Sequence, residues 1–339
     1  MNNSICTLFD NILIDIHKFK SLLYLLLHHK TTFMTKKIIT LLSTALLFCN
    51  SLFAQSSGTD TFQLEKNTNG HYIFKTKINH QLMATIFLES GIHVMLIDSL
   101  YAFENNRHLN LDFVKTKRYE RMNLGGRKYK ITHKATGTIQ LGDNTEYSGE
   151  IFVLSNYQSG HDMAIPIQRI SHSNDGAHII KLDMKNYKLQ VLNRKLFSSE
   201  STNYSTIAIN YDTYLNMPAV KTDLCFKHKG KRYTLSGNFV LDLGNASFLF
   251  LMKQNPAVQD FLKNNTELKI QTAYNKKGVP VGEAIVTEQA NLCKKSFKQQ
   301  IIAITPALPK FTTEGSVGLK FFDGSISVFD FDKHEFHFQ

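Results

Sequence analysis

The sequence predicts a mainly β protein made of two related lobes, and three observations carry that expectation. Aromatic side chains are abundant, with 25 Phe and 13 Tyr beside no Trp and only 6 Pro in 339 residues, and such side chains suit a pleated, half-buried surface. A segment made of an apolar strand, an acid, one residue, a glycine and a second apolar run occurs twice, with the two acids 153 residues apart. Each occurrence is followed, in the same order, by a strand, a polar turn and an alternating strand. A composition that is 42% hydrophobic and 20% charged belongs to a chain that builds real cores, which excludes disorder, collagen and coiled coil as overall descriptions.

At the N-terminal end, residues 1–33 precede a better start at Met34 and are expected to be an over-extended N-terminus. The alternative is a longer leader that uses the apolar run from Leu22 to Leu27. Met34-Thr-Lys36-Lys37 and the apolar residues 38–48 read as a secretory signal peptide spanning 34–54, because the apolar stretch is too short to cross a bilayer and Ala54 fits a cleavage site. Cys49 is not preceded by the small residues that lipid attachment requires. The mature chain is therefore expected to be exported, periplasmic or extracellular, with no stable membrane span once the signal is gone.

After that removal, 34 basic residues stand against 26 acidic ones. Basic pairs such as Lys117-Arg118 and Lys276-Lys277 are scattered and form no stripe interleaved with aromatics, so no nucleic-acid partner is expected. Charge alone stays compatible with acidic polymers on a cell surface. Two cysteines survive processing, Cys225 and Cys293, and one disulfide or two buried thiols are both open. His334 and His337 are three apart in an alternating segment and point to opposite faces, so they do not form a ligand pair; no metal and no cofactor are expected.

Along the chain, short apolar runs bounded by turn residues predict strands at 72–78, 121–124, 129–132, 137–141, 150–154, 217–227, 231–235, 268–273 and 300–304. Helical spacing is credible at 99–103 and 257–263, each just past one copy of the repeat. The first copy, residues 85–97, contains Glu89-Ser90-Gly91; the second, 238–250, contains Asp242-Leu243-Gly244. The echoing hairpins are residues 175–191 and 323–338. The polar run 198–205 reads as a linker, which gives an N-terminal lobe at 55–197 and a C-terminal lobe at 206–339. His93 is expected to be half-buried within its apolar run, and Phe321 and Phe322 to belong to the core.

This arrangement resembles the pepsin-like and retropepsin-like aspartic peptidases, in which two β-barrel-like lobes each supply an Asp-Thr/Ser-Gly loop to a shared cleft. Gly315-Ser-Val-Gly318-Leu, ahead of the second echo, is similar to the apolar-apolar-Gly segment before that family's last strands. The resemblance implies that Glu89 and Asp242 face each other, share one proton, and activate one water. It also implies that the residues after each acid, Ser90 and Leu243, brace the two loops, while Gly91 and Gly244 permit their close approach. The chain departs from the family at Glu89, whose extra methylene moves the carboxyl by roughly 1 Å, a misplacement that can cost on the order of a hundredfold in rate. It departs again at Leu243, which has no hydroxyl.

A covering hairpin would fall between Arg121 and Leu141, with Thr136-Gly137 as its tip and Tyr129 as the nearest aromatic. The expected partner is a peptide or protein, bound by a site in which hydrolysis is lost or weakened. Alternatives are an active aspartic-type endopeptidase and an exported β-rich structural or surface protein. Oligomeric state is not encoded in any pattern found.

Overall fold

Alternation of buried and exposed residues marks the half-buried strands, and Asn79, Asn156, Asn193 and Gly318 each follow directly on a strand. The computed structural model describes residues 58–339, apart from residues 125–126, 158–159, 214–215, 275–277 and 306–311. The expected leader, residues 1–54, lies outside the described residues. The first half runs β1 (Thr61–Gln63), β2 (Tyr72–Ile78), β3 (Leu82–Glu89), β4 (Met95–Asp98), α1 (Ser99–Glu104), β5 (Val114–Leu124), β6 (Arg127–Gln140), β7 (Thr145–Ser155) and β8 (Met163–Pro166). In β3, Ala84, Ile86 and Leu88 are buried and the residues between them are not, the two-residue period of a half-buried strand.

The next segment holds β9 (Ile179–Asp183), β10 (Lys188–Leu192) and α2 (Arg194–Glu200). The second half continues with β11 (Ser205–Tyr211), β12 (Pro218–His228), β13 (Lys231–Leu241), β14 (Leu249–Met252), α3 (Pro256–Asn264), β15 (Ile301–Thr305), β16 (Gly315–Val317), β17 (Ile326–Asp330) and β18 (Glu335–Phe338). The run expected as a linker is built from the end of α2, a 3₁₀ turn at Ser201–Asn203 and the start of β11. Asn193 starts α2 by accepting the Leu196 N–H on its side chain at 2.8 Å.

The two halves repeat one topology. In the first, β3 pairs antiparallel with β2 and parallel with β8, while β4 lies antiparallel to β8 and parallel to β7. In the second, β13 pairs antiparallel with β12 and parallel with β16, while β14 lies antiparallel to β16 and parallel to β15. The residue before each acid is paired in its parallel ladder, Leu88 opposite Ile165 and Leu241 opposite Val317, so each acid-x-Gly loop begins at the end of such a ladder. A capped helix follows each loop: the Asp98 carboxylate accepts from Leu100 N–H at 2.9 Å, and the Asn255 side chain from Ala257 N–H at 2.9 Å.

The two echoing hairpins pair with one another. Strands β9 and β17 are antiparallel, with Ile180 opposite Phe329, and β1, β10, β18 and β11 extend the layer on both sides. Because β11 also pairs with β12, this layer is continuous with the second lobe in a 15-stranded sheet, and the first lobe keeps its own nine-stranded sheet. The expected barrel-like closure is not what forms: both sheets are open.

Phe321, Phe322, Phe329 and Phe336 are fully buried against one another behind this layer, with Phe329 and Phe336 centroids 5.0 Å apart. Arg194 at the start of α2 grips the buried Asp330 with both of its terminal nitrogens and Asp332 with one at 2.6 Å. Glu335 and His337 bring ligand-type atoms near Asp330, but the guanidinium already satisfies that carboxylate. Cys225 and Cys293 are both free thiols.

The halves are also tied by Tyr72 on β2, whose hydroxyl donates to Asp323 at 2.8 Å. Tyr72→Phe keeps the ring and removes this bond, and urea denaturation is expected to show a loss of about 1 kcal/mol. No change would mean that water serves Asp323 equally well.

Candidate active site at the paired loops

Both acid-x-Gly loops emerge from parallel strand pairs and meet. The Ser90 hydroxyl, fully buried, links them: it donates to the Leu241 carbonyl at 2.7 Å and accepts the Leu243 N–H at 2.8 Å. Leu243 cannot return either bond. Its side chain is buried instead and lines a small void with Leu64, Leu88, Leu182, Leu319 and Phe322. The brace is therefore half hydrogen-bonded and half hydrocarbon.

The acids are half-buried and face a common space. Glu89 Oε1 accepts the N–H groups of Ser90 at 2.9 Å and Gly91 at 2.7 Å, and the carboxyl also takes a bond from the Gly244 backbone in the opposite loop. Asp242 Oδ1 accepts from Gly244 N–H at 2.9 Å and Oδ2 from the Ser316 hydroxyl at 3.1 Å, while its own N–H donates to Val317 at 2.8 Å. A Cβ placed on Gly91 would be 3.1 Å from Glu89 Oε1 and 3.6 Å from Asp242 Oδ1, which puts both carboxyls around one point. A Cβ on Gly244 would be 2.7 Å from Glu89 Cδ, so only glycine lets that carboxyl reach the second loop.

Electrostatics follow from this crowding. Burial, and then the neighbouring Asp242, push Glu89 up to about 8; three backbone N–H donors oppose the shift without cancelling it. Burial likewise raises Asp242, against the stabilising bonds from Ser316, Gly244 and Asn245. Two carboxyls in one desolvated space can hold a proton between them well above the ordinary carboxylate range, which is the protonation state required for acid and base to act on a single water.

Two contributors were not legible in the sequence. His71, in the turn before β2, bonds the Gly244 carbonyl through its ring and lies edge-on to Phe87 at 5.3 Å; burial lowers its pKa, with that bond opposing. Nothing local marks it, because the Asn69-Gly70-His71 run reads as an ordinary turn. Ser316 sat inside the recognised Gly-Ser-Val-Gly segment, and its approach to Asp242 depends on the β13–β16 pairing.

The hairpin expected to cover the site is β5–β6, whose strands pair from Val114 opposite Lys134 to Leu124 opposite Arg127. Tyr129 lies near that turn, partly buried with Tyr157 at 5.3 Å in a cluster that includes Ile92 and Phe87. Thr136 and Gly137 do not form the tip: they are paired with Glu150 and Gly149 in mid-strand, and Gly137 is small because Leu111 packs on it. His93 is exposed rather than half-buried, while Ile92 and Val94 beside it point inward.

Two lobes of this repeated topology joined by a shared layer, with the paired loops at their meeting point, define the fold of the aspartic proteinases. By structure the chain is similar to the aspartic proteinase from Irpex lacteus, at 10% identity and a TM-score of 0.53, over 83% of this chain and 97% of that one. No family model and no curated protein matches the sequence.

Proposed function

We propose that this chain is an exported protein of the aspartic-peptidase fold that holds an extended peptide across Glu89 and Asp242 and hydrolyses it slowly or not at all. The observation that carries this reading is the Glu89 carboxyl, tied to N–H groups of both loops and set against Gly244. The extra methylene takes it across the gap that two shorter carboxylates would leave for a shared water. Leu243 supports the same reading, since a loop braced from one side alone holds the pair less rigidly. The motifs are degenerate versions of the family pattern, with Glu89 in place of Asp and Leu243 in place of a hydroxyl residue. An extended ligand would bind by strand-like pairing in the cleft. Export rests on residues 34–54.

A second reading, an active endopeptidase, is favoured by the raised pKa values of both acids and by the intact Ser90 bonds. Cleavage of a denatured-protein mixture by the purified chain from pH 3 to 8, beside Asp242→Asn, separates the two. Binding of the unfolded polypeptide without cleavage supports the first reading; cleavage that vanishes in Asp242→Asn supports the second. Glu89→Asp combined with Leu243→Thr is expected to raise cleavage by at least tenfold. If the double variant is folded and no more active than the parent, the account of what disables the site is wrong.

A further inference from the structure

We propose that the first lobe carries a second binding site, separate from the paired acids, for a small amphiphile with one anionic headgroup, a carboxylate on an aliphatic or aromatic body. The site is a cavity of about 790 Å³ between α1 and the β5–β6 hairpin. That volume falls within the range of ordinary small-molecule sites, roughly 300–1,000 Å³.

One wall is apolar. Leu100 and Phe103 are three apart on α1 and so share a face, and they stay 66% and 46% exposed while Ala102 turns into the core. Leaving two large apolar side chains in water forgoes favourable burial, and a ligand body laid on them would recover it. The other wall is cationic. Lys115 and Lys117 on β5 both line the cavity, and Lys130 joins them from β6. Glu104 is the sole acid among the residues that line the cavity.

The same hairpin shows what a neutralised lysine looks like. Lys134 is paired with Glu120 at 2.5 Å, whereas among the described residues Lys115 and Lys117 have no ion pair. His133, between the two walls, sits edge-on to Phe103 at 4.8 Å, and its Nδ1 is buried with no hydrogen-bond partner. Burial and then Lys115 lower its pKa, so the ring adds no charge to the cavity wall. An anionic headgroup would meet the lysines while its body covers Leu100 and Phe103. A cation would meet repulsion, and a fully polar anion would leave the apolar wall bare.

The test is calorimetric titration of the purified full-length chain with decanoate below its micellar range, and with decyltrimethylammonium as the cation of equal body. Saturable decanoate binding is expected, weakened at least tenfold by Lys115→Glu with Lys117→Glu, and by Phe103→Ser. Lys115→Gln with Lys117→Gln gives a milder change of the same sign and serves if charge reversal disturbs the hairpin. The cation should bind the parent more weakly and gain on the Glu variant. Absence of saturable decanoate binding, equal binding of the cation, or binding unmoved by the lysine changes in folded protein would each overturn the site. None of these readouts depends on Glu89 or Asp242, so the outcome is independent of the function proposed above.

Discussion

Ser90→Ala is expected to lower the unfolding free energy by roughly 2–5 kcal/mol in urea titrations, a large effect for the loss of one oxygen atom. The hydroxyl is fully buried and serves two backbone groups of the opposite loop, the Leu241 carbonyl and the Leu243 N–H. Alanine removes both bonds at once and leaves a buried acceptor and a buried donor without a partner, each costing about 1–3 kcal/mol. In a symmetric pair of loops a second hydroxyl would share this duty; here Leu243 leaves Ser90 as the one hydroxyl of the pair. Ser90→Thr keeps the oxygen and separates loss of the bonds from change of shape. A Ser90→Ala variant within about 0.5 kcal/mol of the parent would mean that water enters the interface and that the loops are not held by this bond.

Which parts of this arrangement could be seen in the sequence follows from which interactions are local. The repeat was visible because each copy carries its own pattern: alternation in β3 and β13, an acid and a glycine at fixed spacing, and a capped helix after the second apolar run. The pairing of β9 with β17 was not, since two cheap hairpins some 150 residues apart carry no mark that says they are neighbours. The open sheets escaped for the same reason, as a strand's local pattern does not say which edge it will join. The apolar runs at 129–132 and 137–141 are two parts of one strand, β6. A register shift between Ile131 and His133 sends Ile131 into the cluster with Ile92 and Val94 while Ala135 and Ile139 join the main core, and β7 pairs along it from Lys130 to Gln140. His71 is the sharpest case, a residue of the site placed solely by where its turn comes to rest.

The pH dependence of stability tests the acid pair without requiring any catalysis. Between pH 5 and 8 the parent is expected to lose a few kcal/mol of stability relative to Glu89→Gln, read as a growing gap in Tm or in the urea midpoint. The sign follows from proton counts. An unfolded glutamate gives up its proton near its ordinary value, whereas folded Glu89 holds one up to about 8. Across that interval the folded state binds more protons than the unfolded state, so stability falls as pH rises, by about 1.4 kcal/mol per unit at the steepest. Glutamine has no proton to release, and its side-chain oxygen can still accept the N–H groups of Ser90 and Gly91, so near pH 5 the variant should match the parent. Asp242 adds to the slope in the same direction, because its burial also favours the protonated form, and Glu89→Gln with Asp242→Asn should flatten the curve further. The consequence for chemistry is that the singly protonated pair persists toward neutral pH, so whatever hydrolysis survives would not be confined to acid. Parallel stability curves for the parent and Glu89→Gln would mean that the two carboxyls do not share a desolvated space, and the paired site would fall with them.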